Sequence, residues 1–151
     1  MEHVMRPGTG ILCLILGLAV WGCTKSAPIP SRGATQAQET PTINVYYFHR
    51  TIRCPACEMI EALAQKAVEE GFADELAAGR IEWRIINLDE PENKHFEEDY
   101  RLPMQSVIVS EVRGGKEVRW KNLDKVWDLL NDDTGFVRYV QDEIRAYGQG
   151  T

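Results

Sequence analysis

Two cysteines three residues apart, Cys54-Pro55-Ala56-Cys57, sit at the junction of two very different stretches of this 151-residue chain. Ahead of them, Ile43 to His49 (INVYYFH) is a β-branched and aromatic run of the kind that forms a buried strand. Behind them, Ala56, Met59, Ile60, Leu63, Ala64, Ala67 and Val68 recur at three-to-four spacing as far as Gly71, predicting an amphipathic helix with Gly71 as its C-cap. Proline at the first helical position fits, because the N–H it lacks has no partner there in any case. Cys54 is thereby placed at the helix N-cap, where free N–H groups and the helix dipole favour a thiolate over a thiol. Arg53, Arg50 and His49 just before it add positive charge, while Glu58 and Glu61 just after it act in the opposite sense. Cys57, one turn deeper, is expected to be the more buried. Cys54 is therefore the expected nucleophile toward a disulfide, and Cys57 the resolving thiol.

The remaining elements follow by pattern. A short helical piece is predicted from Asp74 to Ala78, ended by Gly79. Ile81 to Leu88 is a second strand, with Ile81, Trp83 and Ile85 alternating on one face. Pro91 opens a helix that carries Phe96 and Tyr100 at i, i+4. Val107 to Val112 and Lys116 to Trp120 flank Gly114-Gly115, a hairpin signal. The chain then reads as helical from Leu123 to Leu130 and again after Thr134, a candidate cap, with Phe136, Val140, Ile144 and Tyr147 in register. Strands separated by helices imply parallel pairing, and the late hairpin adds antiparallel strands. The expected class is α/β, in the order βαβαββα.

That order, with Cys-x-x-Cys opening the first helix after the first strand, resembles the thioredoxin-like fold over most of residues 42–148. The resemblance implies a mixed four-stranded sheet flanked by helices. The stretches YYFHRTIRCPACEMIE, NLDEPENKHFEEDY, GGKEVRWKNLDKVW and VQDEIRAY are also similar to the thioredoxin-like proteins of the ArsF family, a name that carries an assignment as subunit of a nitrophenyl-compound nitroreductase. Three positions depart from the thioredoxin pattern. Arg53 stands where an aromatic residue usually precedes the first cysteine, and Tyr47 where thioredoxins bury an acidic residue. Gln105 occupies the place of their cis-proline, with Pro103 two residues early; a trans bond is expected at Gln105, in a loop beside Cys54.

The N-terminus carries a separate message. Ile11 to Val20 is an uncharged apolar run, too short for a bilayer core that needs about 20 residues, but suited to a signal peptide. It ends in Val20-Trp21-Gly22-Cys23, which resembles a bacterial lipobox. Residues 1–22 are thus expected to be a lipoprotein signal peptide, taking Cys13 with them. Cys23 is the expected lipid anchor, and residues 23–41, with three prolines and no apolar periodicity, a disordered linker. An ordinary secretory signal and an N-terminal anchor are the alternatives.

Composition excludes other classes. A net charge of −6 gives nucleic-acid binding no electrostatic support. Four cysteines are too few for a disulfide-stapled mini-protein. Two thiols alone do not make a preformed zinc or copper site, and neither a metal nor a cofactor is expected. The sequence therefore points to a monomeric, membrane-anchored thiol–disulfide redox domain facing away from the cytoplasm, whose partners are protein thiols or disulfides or a redox protein at the membrane. A static Cys54–Cys57 disulfide, a non-catalytic accessory subunit and a vicinal-thiol metalloid binder stay open as alternatives.

Overall fold

The computed structural model describes residues 41–148. The expected signal peptide, the lipid site at Cys23 and nearly all of the expected linker lie outside the described residues. No helix among the described residues is long and apolar enough to cross a membrane.

Four strands form one sheet: β1 (Thr42–His49), β2 (Ile81–Asn87), β3 (Ser106–Arg113) and β4 (Lys116–Asn122), in the order β2-β1-β3-β4. β1 and β2 run parallel, from Ile43 opposite Ile81 to His49 opposite Asn87. A parallel pair needs a crossover, here supplied by α1 (Pro55–Gly71) and the short α2 (Ala73–Ala77). β3 returns antiparallel to β1, with Ser106 opposite Phe48, and β4 completes the hairpin. Gly114 and Gly115 both have positive φ, 56° and 73°, as a two-residue hairpin turn of type I′ requires.

Both faces of the sheet are covered. Ile43, Val45, Tyr47, Val107 and Val109 point to the side on which α1 and α4 (Asp133–Gly148) pack, joining Ile60, Ala64, Ala67, Val68, Phe136, Val140 and Ile144 in the larger core. Tyr46, Phe48, Ile86 and Ile108 point the other way, where α3 (His95–Asp99) and its flanks cover them with Phe96, Tyr100 and Leu102. This second core is mostly aromatic; Phe48 and Phe96 lie 5.2 Å apart between ring centres, and Phe96 and Tyr100 stack at 5.9 Å.

The structure corrects several local expectations. Ile85 does not join Ile81 in the core: it is 42 % exposed, while its neighbour Ile86 is buried against the opposite face. β2 is an edge strand, and the helices leave part of the face that Ile85 shares uncovered. Gly71 is the last residue of α1 and not its cap; a Cβ there would lie 2.7 Å from Gln141 Nε2 on α4, so the glycine admits the neighbouring helix. The helix expected from Pro91 is a 3-10 turn (Pro91–Asn93) followed by the single turn of α3. Leu123 to Leu130 contains one 3-10 turn, Asp124–Trp127. Asp132, and not Thr134, caps α4: its carboxylate accepts the Gly135 N–H at 2.9 Å.

Candidate active site

β1 and β2 end, and β3 begins, at the same edge of the molecule, so the loops after His49 and Asn87 and before Ser106 converge there. Cys54 follows the first of these loops. Its backbone is extended (φ −101°, ψ 159°), and its Sγ accepts the N–H of Cys57 at 3.2 Å, which is the N-cap geometry expected of it. Cys54 is exposed and Cys57 is 2 % exposed. The two form a disulfide with their Cα atoms 5.1 Å apart.

Beneath the disulfide lies Tyr47, fully buried on β1, whose hydroxyl donates to the Cys57 carbonyl at 2.7 Å. Burial pushes this phenol up to about 12, against a lowering by Arg53 and with further raising by Glu61 and Glu58. It is neutral at any physiological pH and acts here as a donor.

The loop between β1 and Cys54 is pinned from β2. Thr51 gives its N–H to Asp89 at 2.8 Å, Asn87 Nδ2 donates to the Thr51 hydroxyl at 3.1 Å, and Arg50 bridges Asp89, at 3.0 Å, and Glu97. The Thr51 amide and then Arg50 hold the Asp89 carboxyl below its usual range, and hydrogen bonds to Asp89 and Glu97 raise Arg50. Arg53 forms a half-buried ion pair with Glu61 on α1 and also donates to His49 Nδ1 at 3.4 Å. Both arginines expected to favour a Cys54 thiolate are thus engaged by carboxylates while the disulfide is in place.

On the β3 side, the Gln105 carbonyl accepts from Trp127 Nε1 at 3.3 Å and Ser106 Oγ donates to the Met104 carbonyl at 2.9 Å. All described peptide bonds are trans, including those before Pro103 and Gln105. Ile52 and Met104, in the loops before Cys54 and before β3, are 87 % and 49 % exposed, and Met59 on the first turns of α1 is 43 % exposed. No group of three or more histidine, cysteine, aspartate or glutamate side chains among the described residues is arranged to hold a metal ion.

Sequence reasoning missed the Tyr47 contact and the Asp89–Asn87 tether. The tether spans 36 to 39 residues and the Tyr47 contact joins a strand to a helix, so neither follows from the periodicity of one element. The Arg53–Glu61 pair was more accessible, since Glu61 follows Cys57 by one helical turn and Arg53 immediately precedes Cys54.

A mixed sheet in the order β2-β1-β3-β4, with Cys-x-x-Cys at the start of the crossover helix after the central parallel strand, decides the architecture. The fold is thioredoxin-like. No protein-family model matches the chain, and no curated protein does. Solved structures similar to it include thioredoxin from Fasciola hepatica (15 % identity, 73 % of this chain and 84 % of that one, TM-score 0.44). Thioredoxin from Trypanosoma brucei brucei matches at 18 % identity over 72 % of this chain and 79 % of its own, with TM-score 0.40. A thioredoxin from Thermus thermophilus matches at 20 % identity over 60 % and 72 %, with TM-score 0.38.

Proposed function

We propose that this chain is a thiol–disulfide redox protein in which Cys54 attacks and Cys57 resolves. The observation that carries this reading is the asymmetry of the pair: the Cys54 sulfur is exposed and accepts an amide hydrogen bond at a helix N-cap, while Cys57 is buried behind it. The N-cap position stabilises a thiolate at Cys54 and makes it the better leaving and attacking group. A purely structural bridge has no need of such exposure. In the exchange, a reduced Cys54 displaces one sulfur of a partner disulfide, and Cys57 then displaces the partner from Cys54. Two electrons pass to the partner and leave the Cys54–Cys57 disulfide.

The lipobox-like Val20-Trp21-Gly22-Cys23 supports a lipid anchor at Cys23 and placement of the domain outside the cytoplasm, at a membrane where its redox partner also resides. The similarity to the ArsF family supports a second reading, a non-catalytic accessory subunit of nitroreductase type.

The test is trapping. Cys57→Ser is expected to accumulate a mixed disulfide through Cys54, and Cys54→Ser to accumulate none. The reverse ranking, or a disulfide that resists mild reductant, defeats the reading. The potential of the couple then gives direction: near about −270 mV for a reductant, near about −120 mV for an oxidant. Mass spectrometry of the membrane fraction is expected to show a diacylglyceryl group on Cys23; a mature chain that starts elsewhere removes the anchor from the proposal.

A further inference from the structure

We propose that Glu61, held by Arg53, is the proton acceptor of the resolving thiol Cys57, an inference that rests on the thiol–disulfide reading above. When Cys57 attacks the mixed disulfide, its thiol must lose a proton, yet Cys57 is 2 % exposed and is shielded from bulk water. A neighbouring side chain that reaches between the thiol and solvent is suited to take that proton. Glu61 follows Cys57 by four residues on α1, so the two side chains lie one above the other on the same helical face. Helical side chains lean toward the N-terminus, which brings the Glu61 carboxylate back over the turn that carries Cys57. Its other neighbours agree with this placement. Glu61 pairs with Arg53, and the Arg53 guanidinium carbon lies 6.0 Å from the centre of the Tyr47 ring, whose hydroxyl is on the Cys57 carbonyl. Glu61 is only 20 % exposed and Arg53 26 %, so the pair is largely shielded while keeping a path to solvent.

The other titratable or charged groups around this point do not suit the task. Tyr47 on β1 is neutral and already donates its proton to a carbonyl. His49, also on β1, stacks 6.0 Å from Tyr47 and has its Nδ1 directed to the Arg50 carbonyl and to Arg53. Glu58 is exposed on α1. β2 presents the apolar Ile85 opposite Tyr47. The buried carboxylate Glu111 lies opposite Ile43, at the other end of the sheet.

The Cys57 S–H proton passes to the Glu61 carboxylate as the Cys57 sulfur bonds to Cys54 Sγ. The bond from Cys54 to the partner sulfur breaks, and the partner leaves as a thiolate. Cys54 and Cys57 are oxidised to the disulfide and the partner sulfur is reduced. In the opposite direction, the Glu61 carboxylic acid returns the proton to Cys57. Arg53 is a positioning residue here. It holds the Glu61 carboxylate in an ion pair while the disulfide is closed, and it is the nearest cation in sequence to a newly formed Cys54 thiolate.

The experiment is a stopped-flow reaction of the reduced protein with one equivalent of dithiobis(nitrobenzoate), which releases one coloured nitrothiobenzoate when Cys54 attacks and a second when Cys57 resolves. Near pH 6, a thiol of ordinary pKa about 8.5 is almost wholly protonated, so the second phase depends on the acceptor. Glu61→Gln is expected to slow that phase about tenfold or more while the first phase stays within about twofold, and the deficit is expected to close as the pH rises past the thiol's own pKa. Glu58→Gln is expected to leave the second phase unchanged. An unaltered second phase in Glu61→Gln overturns the inference and leaves the redox reading standing. If the reduced wild type releases no nitrothiobenzoate at all, it is the redox reading that fails. Should Glu61→Gln not fold, Glu61→Asp serves: a carboxylate one methylene shorter is set back from Cys57, and the second phase is expected to slow while the first does not. An unaltered second phase in Glu61→Asp overturns the inference equally.

Discussion

Tyr47 stands where the thioredoxin pattern leads one to look for a buried acid, and its chemistry differs accordingly. A phenol raised to about 12 gives a hydrogen bond and takes no proton near neutrality, so it braces the first turn of α1 through the Cys57 carbonyl. That carbonyl keeps its place in the helix without it. Tyr47→Phe is therefore expected to lower stability by about 1 kcal/mol, the net value of one neutral hydrogen bond, read as a shift in the denaturant midpoint at unchanged slope. A loss of several kcal/mol contradicts this assignment. Arg101 is the second informative residue. Its φ of 49° lies in the left-handed region, and the amides of Arg101 and Leu102 bond to the carbonyls of Glu98 and Glu97. Those two bonds form a Schellman motif that closes α3, with Arg101 at the position where glycine is usual. Arg101→Gly is expected to raise the thermal midpoint, by about 0.5–1 kcal/mol of stability; a fall in the midpoint shows that the arginine side chain contributes more than its backbone costs.

At the scale of elements, helix starts are set by single side chains. Cys54 caps α1 with its own sulfur, so the local geometry that begins the helix is also what gives this exposed sulfur an amide hydrogen bond. Asp132 caps α4 at the Gly135 amide, and α4 supplies Phe136, Val140, Ile144 and Tyr147 to the larger core. Asp132→Ala is expected to cost about 1 kcal/mol without altering the reactivity of Cys54, because α4 joins the site only through the shared core. Equal stability in a melting experiment removes the cap. The periodicity of α1 and α4 was legible in the sequence because each buries one stripe and exposes the other. The short α3 and the turn after β4 were not. Four or five residues carry too little periodicity to separate a single helical turn from a longer helix, and tertiary packing of Phe96, Tyr100 and Leu102 decides their form.

Across the whole molecule, the end opposite the disulfide is fastened by a buried charge. The Glu111 side chain has no exposed surface and accepts from Arg119 Nε and Arg113 Nε, each at 2.5 Å. Arg119 in turn reaches the Tyr147 carbonyl at 3.2 Å and lies 4.3 Å from the centre of its ring, tying the β3–β4 hairpin to the last turn of α4. Burial raises the Glu111 carboxyl, but hydrogen bonds from Arg119 and Arg113 outweigh it, and the net shift is downward. A carboxyl held lower in the folded chain than in the unfolded one adds stability above its unfolded pKa and loses it as the pH falls through the folded value. The wild type is therefore expected to lose stability below about pH 4.3, and Glu111→Gln to be less stable at neutral pH, by about 2 kcal/mol, with a weaker loss on acidification. Parallel acid profiles for the two proteins contradict the role of Glu111. This tether could not be foreseen: Glu111 occupies a position of inward-facing strand alternation that reads as apolar, Arg119 comes from β4, and Arg113 follows on β3 beyond an irregularity between Glu111 and Val112.

The sequence by itself determined the order of elements, the hairpin at Gly114-Gly115, the helical face of α1 and the placing of Cys54 ahead of Cys57, because each depends on residues within one or two turns of one another. Tertiary structure decided which charges the site keeps. Arg50 is held by Asp89 and Glu97, Arg53 by Glu61, and Tyr47 by the Cys57 carbonyl. The sequence interval between the partners is 39 and 47 residues for Arg50, 8 for Arg53 and 10 for Tyr47. Whether a cation beside a thiol is free or paired is settled by the strand and helix that fold against it, and local sequence records only that the cation is there.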